Sequence, residues 1–172
     1  LLNDITYYGG WSNKITTLGE DIIFISTRGG TCNLYTAPVG TDDIIPVTNK
    51  NGKVLDYFVC EDKIWMIAIR DMSGAEFYVV DRKTGNERLL TNFNIHLDEE
   101  YEYSWPYSCD FINSAGDEIN GWIMKPNGFE EGKKYPAVLF IHGGPEAAYG
   151  PLMSHEMAVM CSQGYGVIYC NP

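Results

Sequence analysis

Basic residues are scarce in this chain, long apolar runs are missing, and the cysteines form no recognisable framework. Lysine and arginine number 12 against 23 aspartates and glutamates, for a formal charge of −11. The isoelectric point is about 4.5. So acidic a surface repels phosphate backbones, which argues against nucleic acid as a partner. The longest strongly apolar run, Ala137 to Ile141, is far too short to cross a bilayer, so no membrane partner is expected. No signal peptide is visible. Opening at Leu1 rather than at a methionine, the chain reads as a piece of something longer. The five cysteines, Cys32, Cys60, Cys109, Cys161 and Cys170, are odd in number, widely spaced and without a C-x-x-C pair. A disulfide framework or a zinc site would look different. Buried or half-buried free thiols in a reducing compartment are expected, which points to the cytoplasm.

What is present is first of all a repeat. Glu20-Asp21 opens "EDIIFISTR" and Glu61-Asp62 opens "EDKIWMIAIR", 41 residues apart. "LYTAPVGTDDIIPVTN" (Leu34 to Asn49) aligns with "FYVVDRKTGNERLLTN" (Phe77 to Asn92), 43 residues apart, and both copies close on Thr-Asn. Each copy holds short β-branched runs between Gly, Asp and Asn turns. Strands are expected near Ile15–Leu18, Ile22–Ser26, Leu34–Ala37 and Ile44–Val47, then near Val54–Cys60, Ile64–Ile69, Phe77–Val80 and Arg88–Leu90. Four short strands in about 40 to 45 residues is the pattern of a β-propeller blade. Two blades cannot close a ring that takes roughly four to eight. An ordinary antiparallel sandwich is the competing reading.

The character changes after Asn94. His96 beside Asp98, Glu99 and Glu100 suggests a metal site at first sight, but a solvated acidic connector is expected there. Tyr107–Ile112 and Ile119–Lys125 flank Ala115-Gly116-Asp117-Glu118 and read as a hairpin. Ala137–Ile141, apolar at every position, reads as a strand buried on both faces, as in a parallel sheet. Pro151 to Gln163 reads as a helix, with Pro151 in its first turn, an apolar face of Met153, Met157 and Met160, and Gly164 to end it. Gly166–Cys170 is the next strand. The expected architecture is therefore mixed: all-β propeller blades over 1–95, then the start of an α/β-hydrolase domain over 96–172.

His142-Gly143-Gly144-Pro145 follows the first buried strand. In open α/β sheets ligands sit at the carboxyl ends of the strands. Glycines there allow positive φ and close approach of the backbone to a substrate. Their N–H groups can face a developing oxyanion, each donor worth about 3–4 kcal/mol in acyl transfer. In α/β-hydrolases one such donor comes from the loop after the third strand. Gly144 is the first candidate donor and Gly143 the second; Pro145 has no N–H and shapes the loop. His142 is expected to orient the loop by hydrogen bonding. His155-Glu156 begins a zinc-protease helix motif that fails at Val159, and no metal or cofactor is expected.

The stretch "GDEINGWIMKPNGFEEGKKYPAVLFIHGGPEAAYG" followed by "MCSQGYGVIYCNP" resembles the prolyl oligopeptidase family of serine peptidases, nearest its acylaminoacyl-peptidase and bacterial dipeptidyl-peptidase-like branch. The resemblance implies a propeller in front of a hydrolase domain, a short peptide as substrate, and Gly144 as the oxyanion-hole glycine. It also implies a Gly-x-Ser-x-Gly elbow, an aspartate and a histidine, and none of these is found at matching positions here. Ser154 and Ser162 lack elbow glycines. His142 and His155 stand before any nucleophile, whereas the α/β-hydrolase order is Ser, acid, His. The chain alone is thus expected to be inactive and to represent a segment of the enzyme. A carboxylesterase fragment and a non-catalytic propeller module that binds peptides or proteins are the alternatives. Open strand edges and unfinished apolar faces predict self-association, so a homo-oligomer is among the expected states.

Overall fold

The computed structural model describes residues 14–71, 74–143, 147–152 and 154–171. The repeat folds as two antiparallel meanders of four strands. The first comprises β1 (Ile15–Leu18), β2 (Asp21–Arg28), β3 (Thr31–Pro38) and β4 (Ile45–Pro46). The second comprises β5 (Lys53–Cys60), β6 (Lys63–Ile69), β7 (Ala75–Asp81) and β8 (Glu87–Leu89). A single parallel rung, Cys32 to Lys53, joins them. Among the described residues the resulting sheet does not close on itself. Ile23, Ile25 and Leu34 of the first meander share one core cluster with Val54, Tyr57, Ile64, Met66 and Val80 of the second. The Tyr57 hydroxyl crosses that seam and donates to the Ile23 carbonyl at 2.7 Å.

The Thr-Asn ending of each copy has a structural reason. Thr48 Oγ1 accepts the Leu34 N–H at 3.0 Å and donates to Asn33 Oδ1 at 2.9 Å. Thr91 Oγ1 accepts the Phe77 N–H at 2.9 Å and donates to a carboxylate oxygen of Glu76. Beside each latch the chain pairs with the same partner: the Val47 N–H meets Leu34 O, and the Leu90 N–H meets Phe77 O, both at 2.8 Å. The threonine hydroxyl thus continues the strand pairing by one further bond where the main chain turns away.

The chain then enters α1 (Ile95–Glu100), a short helix where the sequence suggests a loop. The Glu76 carboxylate accepts the Asn94 backbone and side-chain N–H groups at 2.7 and 2.9 Å, and Asn94 O accepts the Leu97 N–H, which fixes the first turn. His96 is exposed on this helix.

A second sheet follows: β9 (Pro106–Ser108), β10 (Phe111–Ile112), β11 (Glu118–Met124), β12 (Ala137–Phe140) and β13 (Gly166–Asn171), with α2 (His155–Ser162) between the last two strands. Its order is β10-β11-β13-β12, with β9 also on β11. β12 and β13 are parallel, so β12-α2-β13 is a crossover unit inside an otherwise antiparallel sheet. The expected single strand Tyr107–Ile112 is two strands. Asp110 Oδ1 accepts the Gly121 N–H at 3.1 Å and interrupts the main-chain ladder there.

Two further expectations are corrected. The helix begins at His155, not Pro151; Ser154 is its N-cap, and the Ser154 Oγ accepts the Met157 N–H at 3.3 Å. Residues 149–152 are instead occupied by tertiary contacts, with Leu152 in the core of the meanders. Gly164, at φ +88°, ends the helix as expected. Met157 is fully buried and Met160 packs beside it, whereas Met153 lies outside the described residues. The strand Ala137–Ile141 is not buried on both faces. The Val138–Val167–Met124 row lies under α2, but the next row, Leu139–Ile168–Ile123–Tyr107, leaves Leu139 60% exposed. Ile141 lies beyond the strand end and is 82% exposed. An apolar pattern records what a strand can bury; among the described residues only one of its faces has a cover.

Candidate functional site

β12 and β13 run parallel, so their carboxyl ends share one edge of the second sheet. His142 and Gly143 leave from that edge, and Asn171 closes β13 beside them. The His142 ring is half-buried, and its Nδ1 lies 2.8 Å from the Gly143 carbonyl oxygen. It meets Tyr149 edge-on at 5.2 Å between centroids. Tyr149 meets Tyr169 edge-on at 5.1 Å, and Tyr169 stacks on Trp122 at 5.4 Å. Four rings thus run from the loop into the core of the second sheet. Such pairs are favourable beyond the area they bury, by about 0.5–1.5 kcal/mol each. Burial pushes the Tyr149 hydroxyl pKa up, and the Glu156 charge adds to the shift. Burial does the same to Tyr169. Both phenols therefore stay protonated at neutral pH. The Tyr169 O–H donates to the Gly150 carbonyl at 3.3 Å.

The loop's return is fixed by a side chain that the motif reading passed over. Asn171 Oδ1 accepts the Tyr149 N–H at 2.7 Å, and Asn171 Nδ2 donates to the Tyr149 carbonyl at 2.9 Å. Between strands this would be an ordinary pair of ladder bonds; here an amide side chain supplies both halves.

The other end of the ring series touches the meanders. Gly29 and Gly30 form the tip of the β2–β3 hairpin, at φ +55° and +76°. A two-residue turn with both φ values positive suits the twist of the flanking strands. A Cβ on Gly30 would lie 2.8 Å from Trp122 Cζ2 and 3.7 Å from Pro151 Cδ. The tip has to be glycine because it is pressed against the second sheet.

Of the four loop residues the sequence singles out, the structure describes His142 and Gly143. Gly144 and Pro145 lie outside the described residues. Gly143 is not among the glycines at positive φ, and a Cβ there would meet no described atom within 4 Å. Among the described residues, neither backbone strain nor packing therefore demands glycine at 143. The two serines near the loop are engaged locally: Ser154 Oγ caps α2, and the Ser162 hydroxyl donates to the Val159 carbonyl at 2.8 Å. Among the described residues no three His, Cys, Asp or Glu side chains group as metal ligands. A cavity of about 590 Å³ lined by Arg70, Asp71, Tyr78, Tyr101 and Trp105 lies between the second meander and the connector, away from the loop. No described helix is long and apolar enough to cross a membrane. The five cysteines are free thiols; Cys32 and Cys161 are buried and Cys170 half-buried as expected, whereas Cys60 and Cys109 are exposed.

Sequence reasoning missed Asn171, Tyr149 and Gly30. Asn171 was visible only as part of the stretch ending "YCNP", and a contact spanning 22 residues leaves no periodic trace. The glycine pair at 29–30 did signal a turn, but not what the turn touches.

No family model matches the chain. The probable dipeptidyl-peptidase 5 of Emericella nidulans is 30% identical over 172 aligned residues, covering 94% of this chain and 23% of that protein. The acylaminoacyl peptidase of Pyrococcus horikoshii superposes with a TM-score of 0.78 at 26% identity, over 93% of this chain and 25% of that one. An acylaminoacyl peptidase in complex with Z-Gly-Gly-Phe-chloromethyl ketone superposes at 0.77 with 28% identity, over 92% of this chain and 24% of that one. The chain spans about a quarter of the length of the proteins it matches.

Proposed function

We propose, from a chain that belongs to the prolyl oligopeptidase family of serine peptidases, that it is the segment of a longer peptidase joining the end of a propeller to the start of the hydrolase domain. In this reading the two meanders are propeller blades over 1–95, and 96–172 begins the catalytic domain. The segment contributes the oxyanion loop, with Gly144 as first donor, Gly143 as second, His142 orienting them and Pro145 fixing the turn. The nucleophile, acid and base are contributed by sequence beyond the segment, so the 172-residue chain alone is inactive. The substrate is a short peptide or acyl-peptide, and the compartment is the cytoplasm.

The observation that carries the reading is the origin of the loop at the carboxyl end of β12, inside the parallel β12-α2-β13 unit. Ligands of open α/β sheets bind at that edge. An oxyanion stabilised there by backbone N–H groups needs a loop that a substrate can reach, and Gly143 is exposed. The peptide-like ligand of the acylaminoacyl peptidase complex is the kind of molecule such a site would take.

The test is the reading frame beyond the codon for Pro172, followed by labelling with a fluorophosphonate. The expected result is a Gly-x-Ser-x-Gly elbow downstream, one labelled serine in the full-length protein and none in the 172-residue chain. A full-length protein that is not labelled overturns the reading. Hydrolysis of simple esters with no cleavage of peptide substrates favours a carboxylesterase instead.

A further inference from the structure

We infer that Asn171 is a positioning residue for the loop that begins at His142. The inference rests on the peptidase reading above and deepens it. The loop is held where it leaves β12 by strand pairing, Phe140 being the last residue in register with β13. Where it returns, Tyr149 lies outside the described strands. The Tyr149 main chain is gripped on both its N–H and its C=O by the Asn171 side chain, at 2.7 and 2.9 Å. Asn171 sits on the strand next to β12, so both ends of the loop are referred to one rigid frame.

The same residue carries the Tyr149 ring, and that ring meets the His142 ring at 5.2 Å. The Asn171 amide therefore sets two things at once. It fixes the point to which the loop returns at Tyr149, and it fixes the surface against which His142 rests. Backbone donors act on an oxyanion only if they are aimed before the reaction, and a misplacement of about 1 Å costs about 100-fold in rate. Asn171 touches no reacting atom in this reading; it acts through the loop.

Two bonds in opposite directions make the amide hard to replace. Alanine removes both. Aspartate keeps an acceptor for the Tyr149 N–H, but its second oxygen faces the Tyr149 carbonyl, lone pair against lone pair. Protonation of that carboxyl supplies an O–H and restores the donor.

The experiment uses the full-length protein, with N171A and N171D beside the wild type, assayed on a dipeptidyl and an acyl-aminoacyl p-nitroanilide. Expected for N171A is a loss of kcat of about tenfold or more, with KM within about twofold and an unchanged fraction of folded protein. Expected for N171D is a deficit relative to wild type that shrinks as pH falls through the introduced carboxyl's pKa. Hydrogen exchange over residues 143–150 reports the grip without any activity, and it should be faster in N171A. A kcat within twofold of wild type in N171A, a deficit of N171D that is flat with pH, or unchanged exchange overturns the inference. A wild type that cleaves neither substrate overturns the peptidase reading itself, a separate and recognisable outcome.

Discussion

The two copies of the repeat build one latch from different chemistry. In the first, Thr48 donates to the neutral amide of Asn33; in the second, Thr91 donates to the carboxylate of Glu76. The surroundings differ as well. The Leu34 N–H that Thr48 receives is buried, while the Phe77 N–H that Thr91 receives is exposed. The repeat thus conserves a geometric task within one chain, namely ending the fourth strand against the third, and leaves the partner free to change. A charged partner can also hold further donors, and Glu76 takes the start of the connector through Asn94. The neutral latch closes the first meander; the charged one also hands the chain on to the next region.

The largest change should come from Arg70, which spans both copies. Its Nε and Nη2 donate to the two Glu87 carboxylate oxygens at 2.9 and 3.0 Å, and Nη1 donates to Asn33 Oδ1 at 3.3 Å. The side chains of the pair are 7% and 5% exposed. R70M leaves a buried, unpaired carboxylate and should cost about 3–5 kcal/mol in denaturant unfolding. The double variant R70M/E87L should recover most of that loss; a double as unstable as the single would show that shape, not charge, dominates the seam.

Next in size is the contrast between the latches themselves. T48V strands a buried N–H and should lose about 1–3 kcal/mol. T91V frees an N–H that water can reach, and should lose less than T48V. Equal losses would mean that the difference in burial has no energetic weight.

The smallest effect separates the latches by pH. Burial pushes the Glu76 carboxyl up, but the donors from Thr91 and from the Phe93 and Asn94 main chain outweigh it and hold its pKa below the ordinary glutamate value. The carboxylate's contribution is therefore complete above that ordinary value, about 4.3. It is lost as pH falls through the lower folded value. Between pH 6 and 3, stability should fall more steeply in the wild type than in E76Q, while exchange at the Leu34 amide shows no step of its own. Parallel curves for wild type and E76Q would remove the charged latch as the cause.

Much of the first region was legible because its information is local. Short β-branched runs between Gly, Asp and Asn turns located all eight strands of the meanders, β1 to the residue and the others within a few residues. Even the Thr-Asn endings carried meaning, since the threonine acts within its own copy. The second region was less legible because its determinants are tertiary. The helix start was drawn to Pro151 although Ser154, three residues before Met157, carried the capping signal. Ile141 was read as buried because its pattern is apolar, but no described element covers it. At the candidate site the loop was found through its glycines, whereas the amide that grips its return and the tip that meets Trp122 depend on contacts far apart in sequence.

The contact between Gly30 and Trp122 has an optical consequence. Among the described tryptophans, Trp65 and Trp105 are 42% and 54% exposed, while Trp122 is 6% exposed and stacked on a tyrosine. A solute quencher reaches the first two and not the third. Among these three, the emission that survives quenching therefore comes from the junction of meander and second sheet, where Trp122 touches both Tyr169 and the Gly30 tip, so the seam carries its own lamp.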